Sequence, residues 1–137
     1  AYRSITVSWF EHSPLHEIFK KIAESNIKVM LTTDHGTIKV TSPVKIVGDR
    51  NTNTNLRYKV GRNLSYTQKE VYTVKKPEEA FLPKSNLSSE FVFARSNDFF
   101  VYPNNYNHFV KYYGDTFQHG GISLEELLIP LVMLSPK

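Results

Sequence analysis

Apolar and polar positions divide the chain into short periodic stretches. Leu15, Ile18, Phe19 and Ile22 fall on one face of a 3.6-residue repeat. Ser13 suits the N-cap and Pro14 the first helical position, so the spacing predicts a helix that ends near Ser25-Asn26. Residues 1–10 stay open between two periods. Ile5, Val7 and Trp9 alternate as in a strand, whereas Tyr2, Ile5 and Trp9 keep helical spacing. Residues 27–31 form an apolar run, read as an inner strand of a parallel sheet buried on both faces. Two short strands are expected over 37–40 and 44–47, around Thr41-Ser42-Pro43. A polar loop follows over 48–55, then Arg57-Tyr58-Lys59-Val60-Gly61-Arg62-Asn63-Leu64.

Residues 65–89 lack strong periodicity apart from a helical turn at 77–81, and read as an excursion from the sheet. Strands return at 91–94 and 98–102, with a turn over 104–107. Ser123 and Glu126 form a capping-box pattern. Residues 127–134 read as a last buried strand, with Pro130 at an edge or bulge. A helix followed by a buried strand gives an α/β fold class with a mainly parallel sheet flanked by helices. A β-rich excursion near 37–90 completes this reading, and no internal repeat is evident.

Composition narrows the chemistry. The 137 residues are 40% hydrophobic and 22% charged, ordinary for one soluble globular domain or part of one. No apolar run approaches the roughly 18 residues of a membrane span, so no membrane insertion is expected. With no cysteine, disulfides and thiol chemistry are excluded, and a metal must be held by His, Asp or Glu. A cytoplasmic location is expected. The abrupt Ala1-Tyr2-Arg3 opening reads as that of an excised fragment. The net charge of +4 is uneven. Residues 45–76 hold eight basic and two acidic residues, a net of +6, while the rest holds nine and eleven. The basic character therefore belongs to one segment, which favours an anionic partner.

Two sites stand out as candidate ligands. Asp34 and His35 follow the apolar run, ahead of Gly36, whose freedom permits the bend that would let neighbouring side chains converge. A carboxylate beside an imidazole suits zinc, manganese or iron. His119 precedes Gly120-Gly121. Alone, each tripeptide is more often a turn than a metal site. His12, His16 and His108 are read as non-ligating. Arg57, Lys59 and Arg62 are candidate phosphate-binding residues, with Tyr58 available to stack on a base; the bland reading is a solvated hairpin. Glu125 and Glu126 read as helix-start residues favoured by the dipole, with Glu126 alternatively supporting a metal ligand.

Taken together, Thr32-Thr33-Asp34-His35-Gly36 after an apolar strand and Phe117-Gln118-His119-Gly120-Gly121-Ile122-Ser123-Leu124-Glu125-Glu126-Leu127-Leu128-Ile129-Pro130 resemble the PglZ domain of the alkaline phosphatase superfamily. The resemblance runs from about Ser13 to Leu134 and is tightest at these motifs and over 57–64. It looks closest to two-component response regulators of the PorX type, linked to type IX secretion in Bacteroidetes. It implies the C-terminal portion of one three-layer domain with residues 37–90 as a cap-like insertion. It also implies a two-zinc phosphohydrolase, in which Asp34 and His35 bind one metal and His119 the other. The nucleophile and remaining ligands would lie upstream of this chain, so the site is incomplete and the chain alone is expected to be inactive. A phosphodiester, either an oligonucleotide or a cyclic nucleotide, is the implied substrate. Signalling proteins and a second copy of the chain are the implied partners. A module of the same fold that acts by protein contact, without turnover, is the second reading. A nucleic-acid-binding domain, resting on the +6 segment, is the third.

Overall fold

A computed structural model describes residues 2–84 and 88–136. Residue 1 of the ambiguous opening stretch and residues 85–87 of the expected excursion lie outside the described residues. In chain order the elements are α1 (Tyr2–Glu11), α2 (Pro14–Glu24), β1 (Val29–Thr32), β2 (Ile38–Lys39), β3 (Ser42–Lys45), β4 (Tyr58–Gly61), β5 (Val71–Val74), β6 (Glu90–Ala94), β7 (Asp98–Val101), α3 (Tyr106–Tyr113), β8 (Phe117–Gln118), α4 (Leu124–Leu127) and β9 (Leu131–Leu134). Single 3-10 turns occupy Gln68–Glu70 and Pro77–Ala80. The chain divides into two compact units, Ala1–Asp34 with Ile129–Lys137, and His35–Leu128.

In the first unit the opening stretch resolves as helix α1. Ser13 does not cap α2 through its side chain; its hydroxyl donates to the Phe10 carbonyl at 2.8 Å and closes α1. Pro14 then starts α2 at the expected position. The ring of Phe10 packs against those of His16 and Phe19. β1 pairs antiparallel with β9, Met30 opposite Met133 and Leu31 opposite Val132. The expectation of an inner parallel strand fails here on both counts. The partner runs the other way, and Met30, Leu31 and all four residues of β9 are exposed. An apolar run signals a strand suited to burial, but carries no information about the direction of its partner. The last strand is also shorter than expected, because residues 124–127 are helical and Leu127 and Leu128 are exposed.

The second unit holds the core. β4, β6 and β5 form an antiparallel sheet in that order. β3 pairs with β7 in parallel, and β2 with β8 antiparallel. Pairing is thus mostly antiparallel, contrary to the mainly parallel sheet expected. β7 serves two hydrophobic clusters, because side chains alternate across a strand. Phe100 joins Val44, Ile46, Leu64, Val71, Val92 and Ala94, whereas Phe99 and Val101 join Val40 with Phe109 and Val110 of α3. The sequence reading missed α3: it is an Asn/Tyr-rich segment whose N-cap, Asn105, sits in the left-handed region (φ 55°) and makes no side-chain cap. Among the described residues no helix is long and apolar enough to cross a membrane.

Candidate metal centre

The antiparallel ladder between β2 and β8 sets Ile38 opposite Gln118. His35 lies just ahead of β2 and His119 just after β8, so the ladder carries the two imidazoles to the same end. Their rings stack, with centroids 3.8 Å apart and planes 11° from parallel. His35 is half-buried and His119 exposed. His35 Nδ1 donates to the Gly36 carbonyl at 2.8 Å. That bond fixes the tautomer, so a neutral His35 carries its lone pair on Nε2. Metal-binding histidines use the same arrangement, one ring nitrogen held by a carbonyl and the other presented to the ion. Asp34 is exposed and is the last residue of the first unit. Among the described residues no group of three His, Asp or Glu side chains forms a metal cluster.

The histidine pair rests on a buried ion pair. Arg57 Nε and Nη2 each donate to a Glu126 carboxylate oxygen at 2.9 Å, and both side chains are at most 2% exposed. Arg57 Nη1 also donates to the Asp98 carbonyl. Glu126 accepts from the backbone N–H of Gly121 at 2.9 Å and of Ser123 at 3.1 Å, which holds the loop after His119. The Glu126 arm of the Ser123/Glu126 capping box forms as the sequence predicts. Asn55 completes the support. Its Oδ1 accepts from Arg57 N and Tyr58 N, and its Nδ2 donates to the His119 carbonyl at 3.3 Å. Gly120, at φ 102°, needs glycine for its backbone and lies against Asn55. Gly36 N donates to the Glu126 carbonyl at 2.9 Å, which ties the His35 turn to α4.

This corrects the expected roles of the basic residues. Arg57 lies just ahead of β4 and Lys59 within it, and both are buried. Arg57 is committed to Glu126, and Lys59 Nζ donates to the Asn53 carbonyl at 2.9 Å. Arg62 is exposed. Neither Asn55 nor the Arg57–Glu126 pairing was anticipated. An Asn two residues before Arg57 was the only local signal.

Burial pushes the Glu126 carboxyl upward, but bonds from Arg57, Ser123 and Gly121 outweigh it and hold the group at about 2. An unfolded chain takes up this proton near 4.5. The contribution to stability is therefore present above pH 4.5 and lost as pH falls toward 2, about 3 kcal/mol in all. Urea midpoints measured from pH 5 down to pH 2 should show this step, and Glu126→Gln should remove it.

Residues 9–134 match the family described as the BREX system PglZ alkaline phosphatase-like domain. The chain belongs to the PglZ family. The resemblance carried by the two histidine motifs is thereby established over nearly the whole chain. No curated protein matches the chain. Alkaline-phosphatase-like domains generally depend on metal ions, and a PglZ domain of this type has a phosphohydrolase-like fold. The stacked imidazoles bring two potential ligands together, and among the described residues no third His, Asp or Glu side chain joins them.

Proposed function

We propose that this PglZ domain contributes to the zinc centre of a phosphodiesterase, with Asp34, His35 and His119 as metal ligands. The observation that carries the reading is the face-to-face placement of His35 and His119, whose loops are both anchored on Glu126. Asp34 enters by its place in the chain, directly ahead of His35. A metal bound there supplies Lewis-acid stabilisation of charge on phosphoryl oxygens. The chain's own residues perform the positioning. Arg57 orients the Glu126 carboxylate, Glu126 holds the Gly121 and Ser123 amides, and Asn55 holds the His119 carbonyl. Arg62, exposed after β4, is assigned to the substrate phosphate. The nucleophile and further ligands are assigned to parts of the protein outside these 137 residues. The resemblance extends the proposal to a response-regulator effector controlling type IX secretion from the cytoplasm, with an oligonucleotide or cyclic nucleotide as substrate.

The test is metal content and bis-p-nitrophenyl phosphate turnover of the intact protein beside His35→Ala and His119→Ala. About two zinc per chain and turnover are expected, with zinc reduced and turnover lowered at least 100-fold in each variant. Unchanged zinc and turnover in both would overturn the assignment. The exposed apolar residues of β1 and β9 favour a second reading, a signalling module that works through protein contact or self-association without turnover. A metal-free, inactive intact protein would favour it.

A further inference from the structure

The second unit holds a cavity of about 220 Å³, lined in part by Leu56, Lys59, Phe100, Tyr102, Phe109 and Tyr113. Half of its lining residues are aromatic, yet one is a lysine that is 1% exposed. Lys59 Nζ lies 5.0 Å from the centre of the Tyr102 ring, which is itself a wall, so the ammonium sits at the cavity's edge. Among the described residues its recorded partners are the Asn53 carbonyl and that ring. An ammonium carries three N–H donors, so this arrangement leaves donor capacity. Among the described residues no carboxylate is paired with it, and burial pushes Lys59 down to about 8. A buried cation without a counter-ion is costly, and retaining one beside a cavity points to an anion that enters from outside.

We propose that this cavity is a binding site for a small single-ring aromatic carboxylate, its ring between Phe109, Tyr113 and Tyr102 and its carboxylate on Lys59 Nζ. The size agrees, since an apolar cavity of about 150 Å³ accepts benzene and the extra volume accommodates one substituent. The ring walls favour a planar apolar body, and the ammonium favours a charged acceptor over a neutral one. Thr54, exposed at the rim, marks the mouth. None of the residues that line it is a proposed metal ligand, and its test reads binding rather than turnover.

The experiment is calorimetric titration of the full chain with benzoate, benzyl alcohol and acetate, repeated on Lys59→Met and Thr54→Trp. Benzoate is expected to bind at one site, about tenfold or more tighter than benzyl alcohol, with acetate not binding. Lys59→Met should lose that tenfold for benzoate while leaving benzyl alcohol unchanged. Thr54→Trp, which leaves Lys59 in place and changes only an exposed residue, should block both aromatic ligands. Equal affinity for benzoate and benzyl alcohol in the unmodified chain, or no saturable binding of either, overturns the proposal. Benzoate binding that survives Thr54→Trp overturns the location.

Discussion

Glu126→Ala is expected to destabilise the second unit by about 3–5 kcal/mol, the largest effect of any single substitution at this site. Truncation leaves the Arg57 guanidinium buried, with the Asp98 carbonyl as its remaining recorded acceptor. It also orphans the N–H groups of Gly121 and Ser123, which Glu126 satisfies at 2.9 and 3.1 Å. A buried donor without an acceptor costs about 1–3 kcal/mol, and a charged one more. Since a small domain has about 5–15 kcal/mol in total, the variant is expected to sit near its unfolding threshold. Glu126→Gln separates charge from shape. It retains an acceptor oxygen for the loop but removes the ion pair, and about half of the loss is expected. Urea denaturation at pH 7 checks both variants. If Glu126→Ala falls within 1 kcal/mol of the unmodified chain, the ion pair is not what holds the His119 loop.

Gly36→Ala is expected to cost about 3 kcal/mol by overpacking. A Cβ at residue 36 would stand 3.0 Å from the Glu125 carbonyl carbon and closer still to its oxygen. Those atoms are backbone of α4, so they have no rotamer by which to yield, and the Gly36–Glu126 hydrogen bond holds the two segments together. Gly48→Ala makes the useful comparison. Its Cβ would meet the Thr52 hydroxyl and a Leu64 methyl, both of them side-chain atoms that can move. A thermal melt should show a clearly larger loss at residue 36 than at residue 48. Equal losses would mean that the α4 backbone gives way and that the two histidine turns are loosely joined. In the intact protein, Gly36→Ala is also expected to separate His35 from His119, and so to weaken metal binding along with stability.

The helix from Pro14 was legible because proline, the N-terminal serine and four apolar residues agree locally. The capping box at Ser123 and Glu126 was legible for the same reason. The use to which Glu126 is put was not, since its partner Arg57 lies 69 residues away. Beside Tyr58 and Lys59 in a polar, basic segment, an arginine reads as a surface residue. Burial of both Arg57 and Lys59 depends on which sheet face meets the core, and alternation alone does not say which. The histidines were legible as motifs, and their meeting was expected, but the ladder that joins them is only two residues long on each side. The direction of the β1 partner was illegible, because an apolar run pairs equally well either way.

The hydrogen bond between Gly36 and Glu126 also bears on folding. β1 and β9 are separated by about a hundred residues of chain, a span whose closure costs entropy in proportion to the logarithm of its length. The second unit occupies almost all of that span, and a 2.9 Å hydrogen bond joins Gly36 N to the Glu126 carbonyl, one and two residues inside its two ends. Once that unit has formed, the effective loop between the two strands shrinks to a few residues, and its closure costs about 2–3 kcal/mol less. The contact that joins the two histidine turns is thus also the one that lets the distant ends of the chain pair as though they were neighbours.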